Sequence, residues 1–348
     1  HFISTERTCV MRFARHRYLS LAVATVGGGF AWLGTSKKTK VEPRPIILFM
    51  DLDGTWVDSK FSSEQTRCDL EAFHEYWDKV ERPIGSILCY NTARCIRAYE
   101  DLPKDYPTFQ APDALITGEG TEIRWVSTQQ KSDAGERKRT HGHKANVSFS
   151  LDAEWANEIR RHWWESGLRA AVISALDELD DHCIPNLNDP CNALNDDGEA
   201  RHAITIKGGE DAEKRTREIV HRLEEKFNKE NKKVIEFSSY PAWGDDPKPQ
   251  LVNAVPAVAS KGRAAIFLAN KLGFDESDCL GAGDTMGDAP MVTHTNMPFL
   301  AVGNAKESLK GLVKERNGPY AIVVNGFGVA GVLEGLKRFR KERGETIV

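Results

Sequence analysis

Ile46-Ile47-Leu48-Phe49-Met50-Asp51-Leu52-Asp53-Gly54-Thr55 decides the fold. Five consecutive apolar residues leave no polar face, which suits a strand buried on both sides in a parallel sheet covered by helices. The run breaks off into two carboxylates two residues apart, and Gly54 permits the sharp turn by which a loop leaves a sheet. Downstream, Glu64 to Val80 reads as a helix, and Ile84 to Tyr90 is a second apolar run that stops at Asn91-Thr92-Ala93-Arg94. Strand, helix, strand with polar groups at the strand ends predicts an open, doubly wound, mostly parallel α/β sheet, whose ligands bind beyond the carboxyl ends of the strands.

The same alternation returns near the C-terminus. Lys261 to Leu272 is expected to be a helix capped by Ser260. Asp284 follows a short run into a glycine-rich turn, Ala321 to Val324 reads as a strand and Val329 to Arg340 as the closing helix. Between these parts the character changes. Residues 136–144 are basic and polar, and 177–199 form an acidic stretch rich in Asn and Pro. Trp155, Ile159, Trp163 and Trp164 recur at helical spacing, Ala203 to Lys207 alternates like a strand, and Asp211 to Lys229 sets Ile219, Leu223 and Phe227 on one helical face. These features predict four segments: a leader at 1–44, a first core part at 45–139, an inserted α+β domain at 140–254 and a second core part at 255–348.

With 348 residues the chain can hold two cores, and with 40% hydrophobic and 28% charged residues its composition is globular. A net charge of -4 argues against a nucleic-acid partner, whose backbone selects basic faces, but not against a small anion held by a few local cations or a metal. Seven cysteines, without disulfide-scaffold or zinc-ligand spacing, read as reduced thiols inside a cell; His182, Cys183 and Cys191 cluster only loosely. Glu6 is the sole acidic residue before Glu42, and Arg12, Arg15, His16 and Arg17 precede an apolar, glycine-rich run from Leu19 to Leu33. That pattern reads as a targeting peptide or a short membrane anchor, with any membrane contact confined to residues 19–34, or else as an inert tail, with Met11 a candidate start. It is shorter than the roughly twenty apolar residues of a full span. The location it implies is the cytoplasm or an organelle.

Four groups carry candidate chemistry. Asp51 and Asp53 follow the first strand, where one carboxylate can act as a nucleophile and the other as acid and then base; a structural turn is the alternative, and the calcium-loop pattern that begins Asp-x-Asp is not completed here. Thr92, with Arg94 two residues on, offers a hydroxyl and a cation to a phosphate. Lys261 can offset crowded negative charge and keep a carboxylate ionised. Gly281-Ala282-Gly283-Asp284-Thr285-Met286-Gly287-Asp288 sets two more carboxylates four residues apart in a glycine turn, a hard-oxygen site suited to Mg²⁺. Arg137-Lys138-Arg139 reads as a solvated loop.

Each group by itself has a structural explanation; their order along the chain resembles the signature of the haloacid dehalogenase superfamily, over nearly all of residues 46–340. The resemblance implies Asp51 as nucleophile, Asp53 as acid/base, Thr92 for phosphate and Lys261 for charge stabilisation. It further implies Mg²⁺ held by Asp284 and Asp288 with Asp51 and the Asp53 backbone, and a C2-type cap inserted between the Thr92 and Lys261 motifs. Within that superfamily the chain is most similar to sucrose-6-phosphate phosphatases, through Gly120-Thr121-Glu122-Ile123, Leu151-Asp152-Ala153-Glu154-Trp155, Val302-Gly303-Asn304-Ala305 and the closing helix. Thr121 and Glu122 are then candidate sugar contacts, or simply a turn and a strand start. Where the family has Arg-Pro-His-Lys in the cap, this chain has Glu199-Ala200-Arg201-His202-Ala203-Ile204, which keeps Arg201 as a candidate substrate contact, and Gly287 stands where Asn is usual. The resemblance implies sucrose 6-phosphate as substrate. The alternatives are a glucosyl- or mannosyl-glycerate phosphate, and a catalytically silent module that binds sugar or docks onto a sugar-phosphate synthase.

Overall fold

The computed structural model describes residues 41–56, 64–102, 109–127, 148–177, 183–185, 200, 202–206, 210–228, 233–241, 250–316 and 321–345. The apolar run of the leader, the basic run at 137–139, most of the acidic stretch and Arg201 lie outside them. Among the described residues no helix is long and apolar enough to cross a membrane.

In chain order the strands are β1 (Ile47–Met50), β2 (Ile87–Asn91), β3 (Ala114–Thr117), β4 (Glu122–Ser127), β5 (Ser148–Leu151), β6 (Cys183–Pro185), β7 (His202–Ile206), β8 (Ile235–Pro241), β9 (Gln250–Pro256), β10 (Cys279–Gly283), β11 (Phe299–Ala301) and β12 (Ala321–Val323). Eight of them form one sheet in the order β12-β11-β10-β1-β2-β3-β4-β5. From β12 to β3 all neighbours are parallel, and β4 and β5 add an antiparallel edge. The uninterrupted apolar run thus occupies the middle of the sheet, where Ile47 to Met50 are fully buried; each large side chain so buried contributes about 1.5–3 kcal/mol. Met50 pairs in register with Ala282 on one side and Tyr90 on the other. The chain leaves β1 toward β2 and returns on its opposite flank as β10, so a crevice opens at the carboxyl end of β1, where the winding reverses.

The first helix runs Glu64–Tyr76 and continues as a wider π turn over Trp77–Glu81, close to the expected span. Its Phe73 stacks on Trp77 at 5.9 Å and meets the edge of Trp56 at 4.9 Å. The second strand begins at Ile87 and not at Ile84: Arg82–Ile84 is a 3₁₀ turn with Pro83 inside it, ended by Gly85 at φ 91°, a left-handed backbone that glycine adopts without strain.

The smaller sheet, β6-β7-β9-β8, is antiparallel throughout. Helices Ala153–Arg160, Leu168–Asp177 and Ala212–Phe227 belong to the same stretch of chain. Trp155, Ile159 and Trp163 are buried, whereas Trp164 is partly exposed, because a spacing of four keeps one face and a spacing of one leaves it. Part of the interval expected for the insertion belongs instead to the large sheet: Ser148–Leu151 pairs antiparallel with β4, covering an edge that would otherwise present unpaired backbone groups.

Opposite the crevice, the closing helix Gly328–Glu342 buries Arg340. Its guanidinium bonds both oxygens of the buried Glu81 and, at 2.6 Å each, Glu345 and the Arg44 carbonyl. Ser86 Oγ donates to Glu81 at 2.8 Å and accepts the Ile46 N–H at 3.2 Å, so this ion cluster ties the last helix to the start of β1.

Candidate active site

Asp51 continues the β1 ladder, its N–H donating to the Ala282 carbonyl at 3.0 Å. Its side chain is buried, and Oδ1 accepts a bond from Lys261 Nζ at 2.6 Å. Lys261 donates a second bond, 2.7 Å, to Oδ1 of Asp288. The position of Lys261 is set from several sides. It opens the Lys261–Leu272 helix, capped as expected by Ser260, whose Oγ accepts the Arg263 N–H at 3.2 Å and lies 3.0 Å from His294 Nδ1. Asn91 Nδ2 donates to the Lys261 carbonyl at 2.9 Å. Gly120, at φ 95°, lies so near that a Cβ there would stand 2.5 Å from the Ser260 carbonyl.

The turn after β10 brings in the other carboxylates. Asp288 is fully buried; its Oδ2 accepts the N–H groups of Asp284 at 3.0 Å and Thr285 at 3.1 Å, which closes the turn while Oδ1 faces Lys261. Thr55 Oγ1 donates to Asp284 Oδ1 at 3.3 Å. Asn304 Nδ2 donates to the Gly54 carbonyl at 2.6 Å and its Oδ1 accepts the Gly328 N–H at 2.8 Å, bridging the loop after β1 to the closing helix. Sequence reasoning did not assign Asn91, Thr55 or Asn304 to the site. Asn91 carries a signal in hindsight, being a polar residue that ends an apolar strand; Thr55 and Asn304 lie far from Asp284 and Gly54 respectively in sequence.

Asp51, Asp284 and Asp288 each offer a carboxylate oxygen within 4.8 Å of the others, all three buried. These three carboxylates crowd around one ammonium, so negative charge is in surplus. Burial, and then Asp288, push the Asp51 carboxyl well above its usual range, with Lys261 opposing. The same two causes raise Asp284 to about 7. Burial by itself disfavours the Lys261 ammonium, but Asp288, Asp51 and Glu119 more than offset it and hold the group well above the usual lysine range. An all-oxygen donor set with excess negative charge fits a hard divalent cation.

Asp53 stands apart from that trio. Arg94 Nε donates to its Oδ2 and Arg94 Nη2 to its Oδ1, both at 2.7 Å. Thr92, fully buried at the end of β2, accepts the Arg94 N–H on Oγ1 at 3.0 Å. Thr121 is buried, and its Oγ1 has no hydrogen-bond partner among the described residues. Glu122 Oε2, by contrast, accepts bonds from Thr117 Oγ1 at 3.0 Å and Arg124 Nε at 2.9 Å within the β3–β4 hairpin. Asp152, before the first helix of the insertion, accepts the N–H groups of Glu154 and Trp155, both at 3.1 Å, and a bond from Lys271 at 2.7 Å. Trp155 Nε1 in turn donates to the Gly120 carbonyl at 3.0 Å.

A comparison with curated proteins finds no match to this chain. Among solved structures, the sucrose-phosphatase of Synechocystis sp. PCC6803, in complex with sucrose and phosphate, is similar at TM-score 0.62 and 20% identity, over 85% of this chain and 98% of that one. The haloacid dehalogenase-like hydrolase yhjK of Bacillus subtilis is similar at TM-score 0.56 and 16% identity, over 88% and 95%. At these identities the likeness is one of fold, and the fold is the haloacid dehalogenase one. The profile of the family described as sucrose-6F-phosphate phosphohydrolase matches residues 44–182 and 216–340, most of the chain. The chain therefore belongs to the sucrose-6F-phosphate phosphohydrolase family and is a phosphatase of the haloacid dehalogenase fold.

Proposed function

We propose that the chain hydrolyses a sugar phosphate, sucrose 6-phosphate first, through a phosphorylated Asp51. The observation that carries this reading is the buried Lys261 ammonium, bonded at 2.6 Å to Asp51 and 2.7 Å to Asp288. It offsets the repulsion between the Asp51 carboxylate and an incoming phosphate and leaves the second oxygen of Asp51 for attack on phosphorus. Asp53 gives a proton to the leaving oxygen and then takes one from the water that hydrolyses the aspartyl-phosphate. Because Thr92 Oγ1 already accepts the Arg94 N–H, its own hydrogen is available to a phosphoryl oxygen. Asp51, Asp284, Asp288 and the Asp53 backbone would hold Mg²⁺, which supplies charge neutralisation at the phosphoryl group.

Residues 152–256, with the small sheet, serve in this reading as the cap over the leaving group. The Thr121 hydroxyl is the stronger candidate for sugar contact on the core side, since Glu122 is engaged by Arg124 and Thr117. Arg201 is the corresponding candidate in the cap. Support for sucrose comes from the family and from the sugar held by the Synechocystis protein. The test is phosphate release with Mg²⁺ across sucrose 6-phosphate, glucose 6-phosphate, other sugar phosphates and glycerate-linked phosphates. A rate for sucrose 6-phosphate well above the rest is expected; a peak elsewhere refutes the substrate and keeps the chemistry.

A further inference from the structure

Asp53 and Arg94 come from loops that follow different strands, yet both arms of the guanidinium meet both carboxylate oxygens at 2.7 Å. Two parallel bonds between planar groups fix the plane of the carboxylate as well as its distance. A free aspartate has a broad second torsion and samples many orientations. The pair lies at the more open part of the crevice, with side-chain exposures of 30% for Asp53 and 28% for Arg94, against 7% for Asp51.

Arg94 is itself held. Its Nη1 donates to the Ala98 carbonyl at 3.3 Å, its N–H donates to Thr92 Oγ1 at 3.0 Å, and its carbonyl accepts the Gly118 N–H at 2.9 Å. All three guanidinium nitrogens thus donate to protein oxygens, and the loop after β2 sets the plane that Asp53 must share. We propose that Arg94 is a positioning residue for Asp53: it holds the carboxylate in one orientation for proton transfer and acts on the reaction through Asp53, not by gripping the phosphoryl group. This rests on the phosphatase reading above.

In the first half-reaction an Asp51 oxygen bonds to phosphorus, the bond from phosphorus to the leaving oxygen breaks, and that oxygen takes the proton of Asp53. In the second, a water oxygen bonds to phosphorus, the Asp51–phosphorus bond breaks, and the water's proton passes to Asp53. An aryl phosphate separates the two demands, because p-nitrophenolate leaves without a proton. As kcat/KM reports only the steps through phosphorylation of the enzyme, a misplaced Asp53 lowers it for an alkyl phosphate and spares it for an aryl one.

The experiment measures kcat/KM of the full chain with Mg²⁺ on p-nitrophenyl phosphate and on two alkyl phosphates, sucrose 6-phosphate and glucose 6-phosphate. The proteins are wild type, Arg94→Gln, Arg94→Lys, Asp53→Asn and Asp51→Asn. Arg94→Gln is expected to lose roughly 100-fold on the alkyl phosphates and less than about threefold on the aryl phosphate, a split shared by Asp53→Asn. Arg94→Lys, a point contact without a fork, should recover only part of the loss. Equal losses on both substrate classes mean that Arg94 grips the phosphoryl group and overturn the proposal, as do wild-type values in both Arg94 variants. Asp51→Asn must be inert; if it hydrolyses p-nitrophenyl phosphate at the wild-type rate, the phosphatase reading fails and the role of Arg94 fails with it.

Discussion

Lys261 Nζ and Asp51 Oδ1 lie 2.6 Å apart although 210 residues separate them in sequence, and both side chains are buried. Burying an ammonium or a carboxylate singly is prohibitive. Together, and with Asp288, they form a buried cluster in which the ammonium bonds two carboxylates. One of the two carboxylates bonded to Lys261 is thus Asp51, the residue that the proposed function makes the nucleophile.

Asp51→Asn is expected to lower turnover by roughly 10⁴-fold or more while the chain stays folded. Asparagine is nearly isosteric, and Lys261 keeps its bond to Asp288. Phosphate release alongside a thermal melt checks this. Retained turnover in clean protein would sink the assignment of Asp51.

Mg²⁺ should stabilise the protein more at alkaline than at acid pH. Asp284 is raised to about 7, above its unfolded value, so its contribution to the stability of the metal-free protein is present below the unfolded pKa and lost as pH rises through about 7. Cation binding needs the deprotonated carboxylates and relieves that loss. The melting temperature is expected to rise with saturating Mg²⁺ by roughly 5 °C or more at pH 8 and by at most about 2 °C at pH 5.5. Equal shifts at the two pH values would contradict the assigned ligands.

Gly54→Ala should damage both stability and activity. Gly54 adopts φ 89°, and a Cβ there would stand 2.2 Å from Asp284 Oδ2. Backbone strain of this kind costs about 1–3 kcal/mol, and relief of the clash must displace Asp284. Melts and phosphate release measured together should both fall; an active variant of normal stability refutes the close approach.

Glu81→Ala should destabilise the fold without touching the chemistry. It leaves the fully buried Arg340 with Glu345 but without its bidentate partner, at a cost of about 3–5 kcal/mol. The cluster sits near the start of β1, at the opposite end of the strand from Asp51. Denaturant midpoints should drop, whereas turnover per folded molecule stays at the wild-type level.

Much of this molecule was legible in the chain itself. Ile46 to Met50 announces a central buried strand because only burial on both faces tolerates five apolar residues in a row. The Lys261–Leu272 helix falls on its expected limits because Ser260 is a local signal, a hydroxyl that caps the N–H two residues beyond the first helical position. Asp51, Thr92, Lys261, Asp284 and Asp288 stand out as residue types at strand and helix ends, and the structure brings Asp51, Lys261, Asp284 and Asp288 together.

What the chain could not show are relations between distant segments. Ser148–Leu151 looks like part of the insertion, and only its pairing with β4 assigns it to the large sheet, since an edge is completed by whichever strand reaches it. The fork of Arg94 on Asp53 joins two loops 41 residues apart, a pairing that no local pattern announces. The bonds of Arg124 and Thr117 to the Glu122 carboxylate likewise depend on how β3 and β4 pair. Local order follows from backbone preference and apolar periodicity, which neighbouring residues carry. The partner of a charge depends on how the sheet is wound, and that is decided by tertiary packing.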